Sequence, residues 1–160
     1  VAVALRLLGG GLAFAAEWGL YNVITGKVVR VADGDTITVL DSFNTQHKIR
    51  LNRIDAPEKG QAFGQVSRKY LAGMVTNGTV KVEWEKKDKY GRVLGIVYSS
   101  DGRETNLEML KTGLAWHYKH FDQTESYSQA EKDARTKKVG LWVDNSPIEP
   151  WNWRKNKRGK

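Results

Sequence analysis

Two alternating runs hinged on Asp33-Gly34 constrain this chain more than any other feature. Gly26 to Ala32 alternates, with Val29 and Val31 on one face. Thr36 to Leu40 returns, with Ile37 and Val39 facing inward. Alternation of this kind marks half-buried strands, and an Asp-Gly pair between two such runs marks a hairpin. A third strand follows over His47 to Ile54, with Ile49 and Leu51 inward; Ile54 falls on the wrong parity, so a bulge or strand end is expected near Asn52-Arg53. Gln65 to Thr76 reads as a helix, because Val66, Tyr70 and Met74 recur every four residues beside Leu71 and Val75. Thr79 to Glu85 and Arg92 to Tyr98 are strands across a Lys87–Gly91 turn. Thr105-Asn106-Leu107-Glu108 has the form of a capping box opening a short helix that stops at Gly113. Leu114 to Tyr118 is extended, and a last helix spans Ser126 to Lys138, ended by Gly140. Five short strands with three helices make an α+β chain built on a small closed barrel.

Length allows one compact domain with a core of its own. The net charge of +8 favours a polyanionic partner, nucleic acid or an anionic membrane surface. That surplus sits largely at one end: residues 151–160 hold five cations and no anion, and the body is only mildly basic. With no cysteine, disulfides and thiolate metal sites are excluded. Residues 1–16 are apolar around Arg6, too short for a comfortable membrane span of about 20 residues. They read as the end of a signal peptide with a small-residue cleavage site near Ala15, which predicts a secreted or periplasmic protein. Membrane contact is expected only through this leader if it is kept. The expected division is leader 1–16, domain 17–146 and a Trp-rich basic tail 147–160. In that tail, Trp151 and Trp153 are expected to pack back on the barrel, with stacking on nucleic acid as the alternative.

Three polar segments lie at strand ends. Asp35 shares parity with Ile37 and Val39, and an inward carboxylate must be paired, hydrogen-bonded or metal-bound unless it belongs to a polar turn. Arg50, Asp55 and Glu58 fall within nine residues at the end of the third strand, and Pro57 forces Ala56 into an extended conformation. They form either one mouth or an ordinary polar loop with a local ion pair. Arg92 shares parity with Leu94 and Ile96, and such an arginine needs an anion, from the protein or from phosphate.

These segments resemble the staphylococcal nuclease (thermonuclease) family. The resemblance is carried by Val31-Ala32-Asp33-Gly34-Asp35-Thr36, Ile49-Arg50-Leu51 with Ile54-Asp55-Ala56-Pro57-Glu58, and Asp88-Lys89-Tyr90-Gly91-Arg92. Thr112-Gly113-Leu114-Ala115 and Gly140-Leu141-Trp142 match in order, so the likeness runs from Gly26 to Trp142. It implies a five-stranded oligonucleotide-binding (OB) type barrel with three helices and a Ca²⁺-dependent nuclease of DNA and RNA. It implies Asp35 and Asp55 as carboxylate metal ligands and Ala56 as a carbonyl ligand; the family often has Thr there, but the ligand is the main chain. It further implies Glu58 as general base, Arg50 and Arg92 on the scissile phosphate, Lys89 and Tyr90 on a neighbouring nucleotide, and Tyr118 against a base.

The residue types suit that chemistry. All-oxygen ligands favour a hard cation. Fork-shaped arginines match the oxygens on which charge grows as water adds to phosphorus. Two departures stand out. The Lys59–Gly64 loop flanking Glu58 need not match the family in length, and Trp116-His117-Tyr118-Lys119-His120-Phe121 replaces a segment that carries base-contacting tyrosines in the family. Within it His117 and His120, three apart in an extended segment, read as surface residues. The rival expectation is a barrel that binds nucleic acid without cutting it; the presence of Asp35, Asp55, Glu58, Arg50 and Arg92 together favours catalysis. Nothing in the sequence demands more than a monomer.

Overall fold

A computed structural model describes residues 22–160, so the apolar leader lies outside the described residues. Five strands close a barrel: β1 (Asn22–Asp33), β2 (Thr36–Asp41), β3 (Gln46–Leu51), β5 (Thr79–Lys87) and β6 (Val93–Tyr98), in the order β1-β2-β3-β6-β5. The described residues add β4 (Ile54–Asp55), which pairs with β7 (Trp116–His117), and four α-helices: α1 (Gly64–Val75) between β4 and β5, then α2 (Thr105–Lys111), α3 (Glu125–Lys137) and α4 (Pro150–Arg158) after β6. A 3-10 turn, Gly140–Val143, follows α3. The barrel is as expected; the fourth helix, formed by the basic tail, is not.

Alternation does most of the folding. Ile37, Val39, Ile49, Leu51, Val82 and Val97 have no solvent exposure and fill the barrel, each burial contributing about 1.5–3 kcal/mol. The predicted facing of Val29 fails: it is half exposed while Val31 is buried. The register between β1 and β2 shifts between Val28 and Arg30, and one extra residue turns Val29 outward. Similarly, α1 buries Ser67, Leu71, Met74 and Val75, leaving Val66 outside. The capping box is not realised, for helix α2 starts at Thr105 with Glu104 as its cap residue and no side-chain cap bond. Instead the Thr105 hydroxyl donates to the Val97 carbonyl, tying α2 to the barrel.

What positions the site is the end of β3. The strand stops at Leu51, earlier than its hydrophobic run predicted, and pairs in parallel with β6, Leu51 against Gly95. Arg53 then adopts a left-handed φ of 70°, uncommon for a side chain with a Cβ and held only where surroundings over-determine it. Those surroundings are specific. The Asn52 amide donates to Gly95 O at 2.9 Å, and the Tyr118 amide donates to Arg53 O at 2.8 Å. The buried Asn106 side-chain amide donates to Asn52 O at 3.0 Å. The expected irregularity at Asn52-Arg53 is therefore a pinned bend that re-aims Asp55.

A second small core lies beside the barrel. Trp116, Ala134, Leu141 and Trp142 are buried together, with Trp151 of α4 packed on them. Trp151 meets Trp116 edge-on at 5.8 Å. Among the described residues, no helix is long and apolar enough to cross a membrane.

Candidate active site

The Asp33-Gly34 turn and the bend after β3 deliver two carboxylates to one guanidinium. Asp35 is 5 % exposed and Asp55 is fully buried. The Nη2 of Arg50 lies 3.2 Å from Asp35 Oδ2 and 3.2 Å from Asp55 Oδ1. Its Nη1 donates to the carbonyls of Leu51 at 2.7 Å and Ile54 at 2.9 Å. Two backbone acceptors and two carboxylates thus lock the fork, the arrangement in which a desolvated arginine is tolerable.

Asp35 is held by more than Arg50. It accepts from the Ala56 amide at 2.7 Å and from the Thr36 hydroxyl at 3.0 Å. Gly34 makes this approach possible. A Cβ there would sit 2.7 Å from Ser67 Cβ and 2.9 Å from Ala56 Cβ, so only glycine lets the turn close onto α1 and the Ala56 segment. The sequence-predicted ligand set, Asp35, Asp55 and Ala56, is brought to one place.

Burial pushes the Asp35 carboxyl upward, but the Arg50 charge and its hydrogen bonds outweigh it and hold Asp35 below the ordinary carboxylate value. For Asp55 burial wins and raises it, the nearby Asp35 charge adding to the rise while Arg154 and Arg50 oppose it. Asp33, whose Oδ1 accepts from the Asp35 amide, is pushed up to about 7 by burial and by Asp35. Packed acids of this kind call for cations. No group of three or more His, Cys, Asp or Glu side chains suited to a metal occurs among the described residues. A hard cation would therefore draw on two carboxylates, the Ala56 carbonyl and water, an all-oxygen set that fits Ca²⁺ or Mg²⁺ chemistry.

Glu58 stands at the rim, its side chain 35 % exposed, and so open to water. Its backbone is clamped. The Glu58 amide donates to Gln61 Oε1 at 3.1 Å, and the Gln61 amide donates back to Glu58 O at 2.9 Å. Gly64 passes so close that a Cβ would lie 2.0 Å from Glu58 O. The Lys59–Gly64 loop is in this way a rigid mount for Glu58.

Other predicted residues are placed elsewhere. Lys89, Tyr90 and Arg92 lie on the β5–β6 turn, and no hydrogen bond or ion pair among the described residues joins them to Asp35, Asp55 or Glu58. The Arg92 side chain pairs with Asp88, Nε to Oδ2 at 2.8 Å, and lies 5.6 Å from the Tyr90 ring centre. Tyr90 is 69 % exposed. Tyr118, half-buried, stacks on Trp151 at 5.4 Å with the planes only 15° apart. His117 corrects the sequence reading. It is 2 % exposed, its Nε2 lies 2.7 Å from Asp122 Oδ2, and its backbone amide donates to the buried Glu131 at 2.9 Å. The β4–β7 pairing turns it inward, which local spacing does not reveal. His120 is exposed, as expected.

One residue was missed altogether. Arg154, from α4, donates from Nη2 to Asp55 Oδ2 at 2.7 Å and from Nη1 to Asp55 Oδ1 at 3.1 Å and Glu58 Oε1 at 2.7 Å. These bonds raise its already high pKa further. A signal existed: Pro150 opens a helix, and Trp151 and Arg154 are three apart on one face of it.

The family model for staphylococcal nuclease homologues matches residues 48–144, a stretch that contains Arg50, Asp55, Glu58 and Arg92 but neither Asp35 nor Arg154. The chain is 46% identical over 134 residues to a protein of Haemophilus influenzae described as an uncharacterized endonuclease, covering 84% of this chain and 75% of that one. It is 38% identical over 162 residues to the micrococcal nuclease of Shigella flexneri, covering 95% and 92%. It is 40% identical over 147 residues to protein ParB of Escherichia coli, covering 86% and 82%.

Proposed function

Because the chain belongs to the family of staphylococcal nuclease homologues, we propose that it hydrolyses phosphodiester bonds of DNA and RNA with Ca²⁺ as cofactor, water being the nucleophile. The observation that carries this is the convergence of Asp35 and Asp55 on one nitrogen of Arg50 with Glu58 at the rim beside them.

Asp35, Asp55 and the Ala56 carbonyl would hold the cation. When bound, it supplies positive charge that offsets repulsion between the anionic diester and the entering oxygen. Glu58 accepts a proton from the attacking water, a role typically worth about 10²–10⁴-fold in rate. A P–O bond then forms from water and the opposite P–O bond breaks, the leaving oxygen taking its proton from solvent. Arg50 keeps the two acids in register and presents positive charge to the phosphoryl oxygens. Arg92 would join it from the β5–β6 turn once substrate phosphate competes with Asp88. Lys89, Tyr90 and Tyr118 would flank the neighbouring nucleotides. The reading extends to a monomer exported through its apolar leader; amino-terminal sequencing of protein recovered outside the cytoplasm checks the cleavage near Ala15.

The test is cleavage of single-stranded DNA, duplex DNA and RNA with Ca²⁺, Mg²⁺ or chelator. Glu58→Gln is expected to retain Ca²⁺ and oligonucleotide binding while turnover falls by about 10² or more. Cleavage that survives chelation would sink the metal mechanism. Binding without cleavage under every cation would instead favour the non-catalytic barrel.

A further inference from the structure

Arg154 is joined to the two acids whose oxygens the proposed reaction needs, and nothing in the mechanism above uses it. Both oxygens of Asp55 are taken by its fork, and Glu58 Oε1 accepts a third bond from the same group. A guanidinium and a divalent cation therefore claim the same Asp55 oxygens.

The way α4 is fastened matters. Its first turn is anchored: Trp151 stacks on Tyr118 and packs on Trp116. Gln61, beside Glu58, also donates to the Ile148 carbonyl ahead of the helix. Beyond Arg154 the helix is exposed and basic, with Lys155, Lys157 and Arg158. The Arg154 side chain is 31 % exposed. A long side chain on an anchored helix, partly open to solvent, can change partners by rotating its own bonds.

Charge decides what the second partner is. Asp35, Asp55 and Glu58 carry three negative charges against Arg50 and Arg154. Adding a divalent cation brings four positive charges against those three, and the arginine left without its partner is Arg154, whose Asp55 oxygens have been taken. A phosphodiester brings the single negative charge that restores the balance, and a planar guanidinium fork matches two of its oxygens. We infer that Arg154 is a third arginine of the active site, which exchanges Asp55 for a substrate phosphate when the cation binds. The inference rests on the metal-dependent reading above and deepens it.

Two measurements on the full chain test the exchange. Calorimetric titration with CaCl₂ alone, without nucleic acid, is expected to show Arg154→Gln binding Ca²⁺ about tenfold more tightly than wild type, since the cation no longer displaces charge-assisted bonds. Steady-state cleavage of a single-stranded oligonucleotide at saturating Ca²⁺ is expected to show KM raised about tenfold in the same variant, with a smaller change in kcat. Arg154→Lys, which keeps the charge and loses the fork, should restore part of both, and it serves as the reading if the glutamine variant fails to give a cooperative melt. Equal or weaker Ca²⁺ affinity in the variants overturns the exchange, as does an unchanged KM. If wild type binds Ca²⁺ and cuts while the variants match it, the inference alone falls. If neither wild type nor variant binds a cation, the metal reading falls and takes the inference with it.

Discussion

The end of β3 and the β5–β6 turn each carry an arginine off the buried face of the barrel, and the fold treats the two arginines in opposite ways. Arg50 is opposite in parity to Ile49 and Leu51, and Arg92 is opposite to Val93 and Val97, which are buried in place of the expected Leu94 and Ile96. Arg50 is 12 % exposed in its side chain and spends its donors on two carboxylates and two carbonyls. Arg92 is 31 % exposed and answers Asp88, four residues away, and the Tyr90 ring, both in the same turn. The first arginine is part of what holds the fold together. The second belongs to a self-contained turn that the barrel does not need. Desolvation explains the contrast. A charge taken fully from water must be matched on every side, whereas a charge at the surface is satisfied by one neighbour and solvent.

Breaking the two sites should separate them. Removing Arg50 leaves Asp35 and Asp55 buried without their shared partner, so Arg50→Met is expected to lose about 3–5 kcal/mol in urea unfolding along with all detectable cleavage. Arg92→Gln should keep stability within about 1 kcal/mol while turnover falls by about 10²–10³, the usual consequence of losing a charge-stabilising donor. Equal stability losses in the two variants would erase the distinction.

The bend between the two regions gives a finer probe. Asp122 lies 3.6 Å from the Arg53 guanidinium and accepts from Thr124 as well as pairing with His117. Burial pushes its carboxyl up, but the hydrogen bonds from His117 and Thr124 outweigh it, leaving it below the ordinary value. A depressed folded pKa contributes stability that is present above the unfolded value of about 3.9 and is lost as pH falls through the folded one. Asp122→Asn is thus expected to cost about 1–3 kcal/mol at neutral pH, a gap that narrows as unfolding is followed to pH values below the ordinary carboxylate range. A gap that stays constant over this range would mean the contact is steric and not ionic. Smallest of all, Tyr90→Ala should leave the melting curve unchanged and weaken oligonucleotide binding by about tenfold or less.

Much of the barrel was legible because its information is local. The hairpin at Asp33-Gly34, the inward parity of Asp35 and the irregularity at Asn52-Arg53 all follow from period-two alternation and one turn signal. The faults arose where one residue is inserted or a segment is recruited from afar. The bulge after Val28 reversed Val29, and the β4–β7 pairing buried His117. Thr105 and Glu108 had the form of a capping box, yet the Thr105 hydroxyl served the barrel instead.

The candidate site divides along the same line. Asp35, Arg50, Asp55 and Glu58 were readable as strand-end residues of the right types in the right order. That Asp35 and Asp55 share one guanidinium nitrogen of Arg50 depends on β2 pairing with β3 and on the bend after Leu51. Arg154 was not readable as part of the site at all. It stands 99 residues from Asp55, in a stretch whose composition says only that it is basic. The sequence by itself determined which segments become strands and which side chains lean inward, because sterics and alternation act between near neighbours. Only the tertiary structure decided which charges meet, because a buried charge takes its partner from whatever element packs over it, and here that element is α4.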